Sequence, residues 1–137
     1  MTKASIFDLY ETNQDAEENG KWFSDFGPEI KIKIRRFTAA KSRKVREALF
    51  KPYIKQYRTA DKIPEDIAED LTCQHLAQGV VTDWSGVFDR DGNEVPFTAD
   101  SAHDLFTKLP DFTKEVLLMS LNMDNYKDEK KAVIKGN

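Results

Sequence analysis

Gly79-Val80-Val81-Thr82-Asp83-Trp84-Ser85-Gly86-Val87-Phe88-Asp89-Arg90-Asp91-Gly92-Asn93-Glu94-Val95-Pro96-Phe97-Thr98 is the stretch whose reading decides the fold of this chain. It opens on a glycine suited to ending a helix and runs through an apolar segment centred on Trp84. It then turns at Asp91-Gly92-Asn93 and closes on Thr98, a residue suited to capping the next helix. Asp-Gly between two apolar runs predicts a hairpin, because a tight turn needs a positive φ that glycine adopts without steric cost. Pro96 cannot donate a ladder hydrogen bond, so the return arm is expected to be short or to lie at an edge. Trp84, Gly86, Asp91, Gly92, Pro96 and Phe97 are therefore expected to be structural anchors, with the indole largely buried.

Upstream, Ile30, Ile32 and Ile34 alternate with Lys31, Lys33 and Arg35, which predicts a strand with one apolar and one cationic face. Lys21-Trp22-Phe23, ahead of the turn residues Gly27-Pro28, is expected to pair with it as a hairpin. From Ala39 the period lengthens: Val45, Leu49, Tyr53 and Tyr57, with Ala48 beside them, predict one face of a helix. Pro52 is expected to kink or divide that helix near Lys51. A second helix is expected after Pro64, with Glu65 and Asp66 in its first turn, an apolar side of Ile67, Ala68, Leu71 and Leu76, and a stop at Gly79.

Downstream of Thr98, Ala102, Leu105, Phe106 and Leu109 predict a short helix ending near Pro110. Pro110-Asp111 restarts a helix with Phe112, Val116, Met119, Ser120 and Met123 on one side and Leu117, Leu118 and Leu121 beside them. Near the N-terminus, Ile6–Tyr10 is a short apolar group, and the acidic run 12–20 reads as a loop. The expected architecture is a single α+β domain over 1–137, with a small antiparallel sheet and about four helices. Residues 19–125 are expected to form its folded core, and 1–18 and 124–137 to be mobile or partner-dependent.

The chain has 137 residues, 39% apolar and 33% charged, with a net charge of -3, which fits one soluble domain rather than a general nucleic-acid binder. No run approaches the roughly 18 apolar residues of a membrane span, and the N-terminus lacks the apolar core of a signal peptide. Cys73 is the single cysteine, which excludes an intramolecular disulfide and a cysteine-rich metal site. Cys73 and His75 are two apart, a poor spacing for ligands on one helical face; His75 instead continues the Leu71 side of its helix as a partly buried imidazole. His103 and Asp104 are adjacent and do not face each other. Asp89–Glu94 has the look of a calcium loop, but with Gly92 at the sixth position Val87 and Thr98 fall where carboxylates are needed. No catalytic residue, cofactor or metal is expected.

Two features point to binding. Arg35, Arg36, Lys41, Arg43, Lys44 and Arg46 form the concentrated basic stretch, either a docking patch for acidic or phosphate groups or a solvated strand end and helix face. Met119 and Met123 suit either an adaptable client surface or ordinary core filling.

The order Val80-Val81-x-Asp83-Trp84-Ser85-Gly86-Val87, then Asp89-x-Asp91-Gly92-Asn93-Glu94-Val95-Pro96-Phe97-Thr98, then two helices, the second begun at Pro110-Asp111, resembles the tail assembly chaperones of long-tailed bacteriophages. Asn19-Gly20-Lys21-Trp22, the cationic strand and the helix from Lys41 extend the likeness over roughly 19–125. The resemblance implies a non-enzymatic protein that binds the tape measure protein and helps recruit tail tube protein in the host bacterial cytoplasm. Such a chaperone leaves before the virion is complete. It implies no catalytic residues and leaves a homo-oligomer open, while the charge balance and the lack of a long apolar run argue against a nucleic-acid partner and a membrane. The alternatives are a structural virion protein, such as a tail adaptor or completion protein, and a nucleic-acid or regulatory binder using Arg35–Arg46.

Overall fold

The computed structural model describes residues 3–128. The Lys31-Ile32-Lys33-Ile34 alternation builds the middle strand of a three-stranded antiparallel sheet: β1 (Lys21–Phe23), β2 (Lys31–Ile34) and β3 (Val81–Ser85), in the order β1-β2-β3. Phe23 lies opposite Ile32, Ile32 opposite Trp84, and Ile34 opposite Val81. Val81 and Trp84 are three residues apart and would face opposite ways in a regular strand. A bulge in the ladder beside Ile34 lets both turn inward. The β1–β2 hairpin is as expected, whereas the principal partner of the Trp84 strand is β2 rather than its own return arm.

Six α-helices are described: α1 (Ile6–Tyr10), which buries no residue, α2 (Gln14–Asn19), α3 (Ala40–Tyr57), α4 (Glu65–His75), α5 (Ala99–Lys108) and α6 (Pro110–Leu121). The main core joins Phe23, Ile32, Ile34, Val80, Val81 and Trp84 to Ala102 and Phe106 of α5 and Val116 of α6. A smaller cluster of Phe50, Ile63 and Leu71 lies between α3 and α4. The α+β architecture is the expected one.

Several local expectations are corrected. Pro52 does not divide α3, whose 18 residues run through it; Phe50 and Leu49 before it and Tyr53 after it all pack on the smaller cluster. Ala48 is exposed, and the buried α3 residues are Ser42 and Phe50. α4 does not stop at a left-handed glycine. It widens into a π-helical turn over Leu76–Val80, in which Gly79 is buried against Val45, and a Cβ at 79 would meet the Val45 Cβ at 2.9 Å.

The acidic run is no loop: Gln14–Asn19 is helical, capped by the Asn13 side chain accepting from the Ala16 N–H. Nor is the start of the expected tail loose. Tyr126 is fully buried, edge-on to Phe23, and its hydroxyl donates to the Ile34 carbonyl at 3.0 Å. Burial raises its phenol well above the ordinary range. Its carbonyl accepts the Asn13 N–H, tying both ends of the described chain together. The rest of the expected tail, 129–137, lies outside the described residues.

Candidate protein-binding groove

Trp84 roots the segment that follows it. The indole is 5% exposed, meets Phe97 edge-on at 5.2 Å, and donates from Nε1 to the Val95 carbonyl at 2.8 Å. That bond, with the Gly86 N–H donating to the Glu94 carboxylate at 3.3 Å, ties the end of the strand to the far arm of the loop. Gly86 turns the chain out of β3 with φ +72, and a Cβ there would sit 2.0 Å from the Glu29 carbonyl oxygen, so no side chain fits. The loop then folds back through the Asp89–Asn93 and Val87–Val95 backbone bonds and a Phe88–Glu94 bridge.

Its tip is Arg90-Asp91-Gly92, with Gly92 left-handed at φ +82, a three-residue turn rather than a two-residue Asp-Gly one. Asp89, not Asp91, holds it: the Asp89 carboxylate accepts from the Asp91 and Asn93 N–H groups, both at 2.9 Å. Pro96 lies past the last bridge, where no ladder bond is asked of it, and its carbonyl accepts from Ser101. Phe97 is half-buried against the core. Thr98 caps α5 as expected, in a reciprocal box with Ser101.

Between this loop and α5 lies a groove of about 740 Å³. Val95 and Leu105 line it, and Phe88 and Leu109 stand on its sides 51% and 48% exposed. Leu109, expected on the buried side of α5, is instead presented. Asp89, Arg90 and the Asp104–Lys108 ion pair (3.0 Å) surround these apolar surfaces. Two large apolar side chains at an open groove with charged flanks form a surface that another polypeptide can cover. Both residue types are visible in the sequence, whereas their exposure is a property of the assembled fold.

The basic stretch is largely engaged inside the fold. Arg35 donates to the Glu18 carbonyl at 2.6 Å and the Gly79 carbonyl at 2.9 Å, joining α2 to the π-helical turn. Arg36 pairs with Glu17 at 2.5 Å. Glu18 accepts from the Ala40 and Lys41 N–H groups at the start of α3. Desolvation pushes the Glu18 carboxyl up, but these N–H groups, with Lys41 and Arg35 near, bring it below its ordinary value. The Lys41 ammonium reaches Asn19, and Arg46 lies over the Phe50 ring at 4.6 Å. Arg43 and Lys44 remain exposed on α3. Of the methionines, Met119 packs half-buried against the main core, and Met123 lies beyond α6 in a 3-10 turn.

The titratable side chains singled out from the sequence are placed as follows. His75 is fully buried, with Nε2 at 2.8 Å from the Ser42 hydroxyl and 3.1 Å from the Ser42 carbonyl, and with its ring edge-on to Phe37 at 4.8 Å. Burial lowers its pKa to about 4, so the ring is neutral at pH 7. His103 pairs not with Asp104 but with Asp70 of α4, at 2.7 Å near the surface, a link that spacing within one helix could not reveal. That bond lowers the Asp70 carboxyl, while burial and then the charge of Asp70 raise the Cys73 thiol. Cys73 is thus held protonated, the reverse of what a nucleophilic thiolate requires. Among the described residues, no helix is long and apolar enough to cross a membrane, and no three His, Cys, Asp or Glu side chains are grouped to hold a metal ion.

Comparison of the chain with curated proteins and with solved structures gives no match. A family match does exist and takes in α3 through α6, with the Trp84 loop and the groove: over residues 37–137 the chain matches the YdaY prophage protein family, and it belongs to that family.

Proposed function

We propose that this protein is a phage tail assembly chaperone, a non-enzymatic binder that keeps the tape measure protein soluble in the host bacterial cytoplasm. It delivers that client to tail tube protein and is absent from the mature virion. Membership of a prophage family supports a phage role, and the resemblance of the Trp84–Thr98 segment supports the tail assembly role. The observation that carries the reading is the groove flanked by Phe88 and Leu109. An amphipathic client helix laid along it covers both side chains with its apolar face and leaves its polar face toward solvent.

The test is co-expression with the tape measure protein encoded by the same prophage. The expected result is a soluble complex that forms with the wild-type chain and is lost with a Phe88→Asp/Leu109→Asp variant of unchanged melting temperature. A client that stays insoluble beside the wild-type protein overturns the reading. Mass spectrometry of finished particles gives an independent check: presence at fixed copy number would identify a tail adaptor or completion protein instead.

A further inference from the structure

Charge is divided unevenly between the paired helices α3 and α4. α3 carries Lys41, Arg43, Lys44, Arg46, Lys51 and Lys55 against one anion, Glu47. α4 carries Glu65, Asp66, Glu69 and Asp70 and neither lysine nor arginine. Toward its C-terminal end, α3 presents Ile54, 37% exposed, beside Lys51, Lys55 and the capping residue Arg58. These three cations are exposed, and none forms an ion pair among the described residues.

α4 offers the complement. Ile67, Ala68 and Leu71 pack toward Phe50 of α3, while Asp66, Glu69 and Cys73 line a separate groove of about 420 Å³ whose other walls include Phe106 and Pro110. Asp70 also lines it and is held ionised by His103. This groove is apolar within and anionic along its α4 side, and the exposed end of α3 is an apolar residue set among cations.

We infer that the α3 surface around Ile54 of one copy docks into the α4–α5 groove of a second copy, with Lys51 and Lys55 facing Asp66 and Glu69. The occupant is another copy because the complementary charge and the apolar projection are both carried by this chain. The two surfaces differ, so the contact is head-to-tail and propagates into a ring or a filament rather than closing at a dimer. It uses neither Phe88 nor Leu109 and leaves the proposed client groove open in each copy.

Sedimentation velocity on the full chain tests this. Wild-type protein self-associates beyond a dimer at low ionic strength and dissociates as salt is raised from about 50 to 500 mM, which screens exposed charge. Lys51→Glu and Glu69→Lys each weaken association about tenfold or more, with melting temperature unchanged because both residues are exposed. The double variant Lys51→Glu/Glu69→Lys, or an equimolar mixture of the two single variants, recovers association, because the reversed charges again face opposite signs. A wild-type chain that is monomeric at about 1 mM in low salt, a single reversal without effect, or a double variant no better than the singles overturns the inference. Client solubility is a separate readout, so failure here leaves the chaperone reading standing.

Discussion

The α2 side of the molecule and the loop–α5 side are held by opposite means. On the first side many polar bonds face inward: Arg35 to two carbonyls, Arg36 to Glu17, Glu18 to the first N–H groups of α3. Little of its charge is left for a partner. On the second side the indole bond to Val95, the packing of Val95 and Phe97 on the core and the Thr98 capping box carry the attachment, and the apolar flanks stand open. The lesson concerns availability. A run of cations invites a binding role, but binding capacity sits where the fold leaves side chains without internal partners.

Breaking the loop side at its root should have the largest effect. Trp84→Ala removes a buried aromatic and the bond that holds the far arm, and should cost about 3–5 kcal/mol in chemical denaturation; an unchanged midpoint would mean that the loop is anchored elsewhere. Acid probes the seam beneath α3. His75 is neutral in the fold with a pKa of about 4, below its unfolded value near 6.5, so the unfolded chain takes up the proton first. Stability should therefore be intact above about pH 6.5 and fall by about 3 kcal/mol on reaching pH 4. A His75→Gln variant should lack that component of the acid slope.

The α2 side should yield less to a single change. Arg35→Met leaves the carbonyls of Glu18 and Gly79 without their charged donor and should cost about 2 kcal/mol, read by urea titration. Hydrogen exchange should rise first in α2. Leu109→Asp should change stability least, within about 0.5 kcal/mol at an exposed site, yet abolish client capture. A large drop in melting temperature would place Leu109 in the core and remove it from the proposed client groove.

The elements legible in the sequence were those whose signals are local. The isoleucine alternation of β2, the Thr98 cap, the Pro64 start of α4 and the Pro110 restart all form as read. What escaped depends on residues far along the chain. α2 is six residues long, too short to be stable alone, and it is held by Arg35, Arg36 and the start of α3. Tyr126 lies in a polar run, and its burial rests on contacts with Phe23 and the Ile34 carbonyl, about a hundred residues away, that no periodicity marks. The hairpin signal at Asp91-Gly92 was genuine but minor, because pairing β3 with β2 buries Trp84 over Ile32 and a local ladder does not. Of the groove, the residue types were visible; which sides of Phe88 and Leu109 meet water was set by the assembled fold.

The two left-handed glycines of the loop are constrained to very different degrees. Gly92 has nothing within 4 Å of where a Cβ would stand, so asparagine or aspartate can replace it at modest conformational cost. Gly86 faces the Glu29 carbonyl, and any other residue would push the β2 start away from β3. As related prophage chains drift apart, the turn motif is thus the part free to erode. The glycine two residues after the tryptophan is the one that a diverged relative must keep.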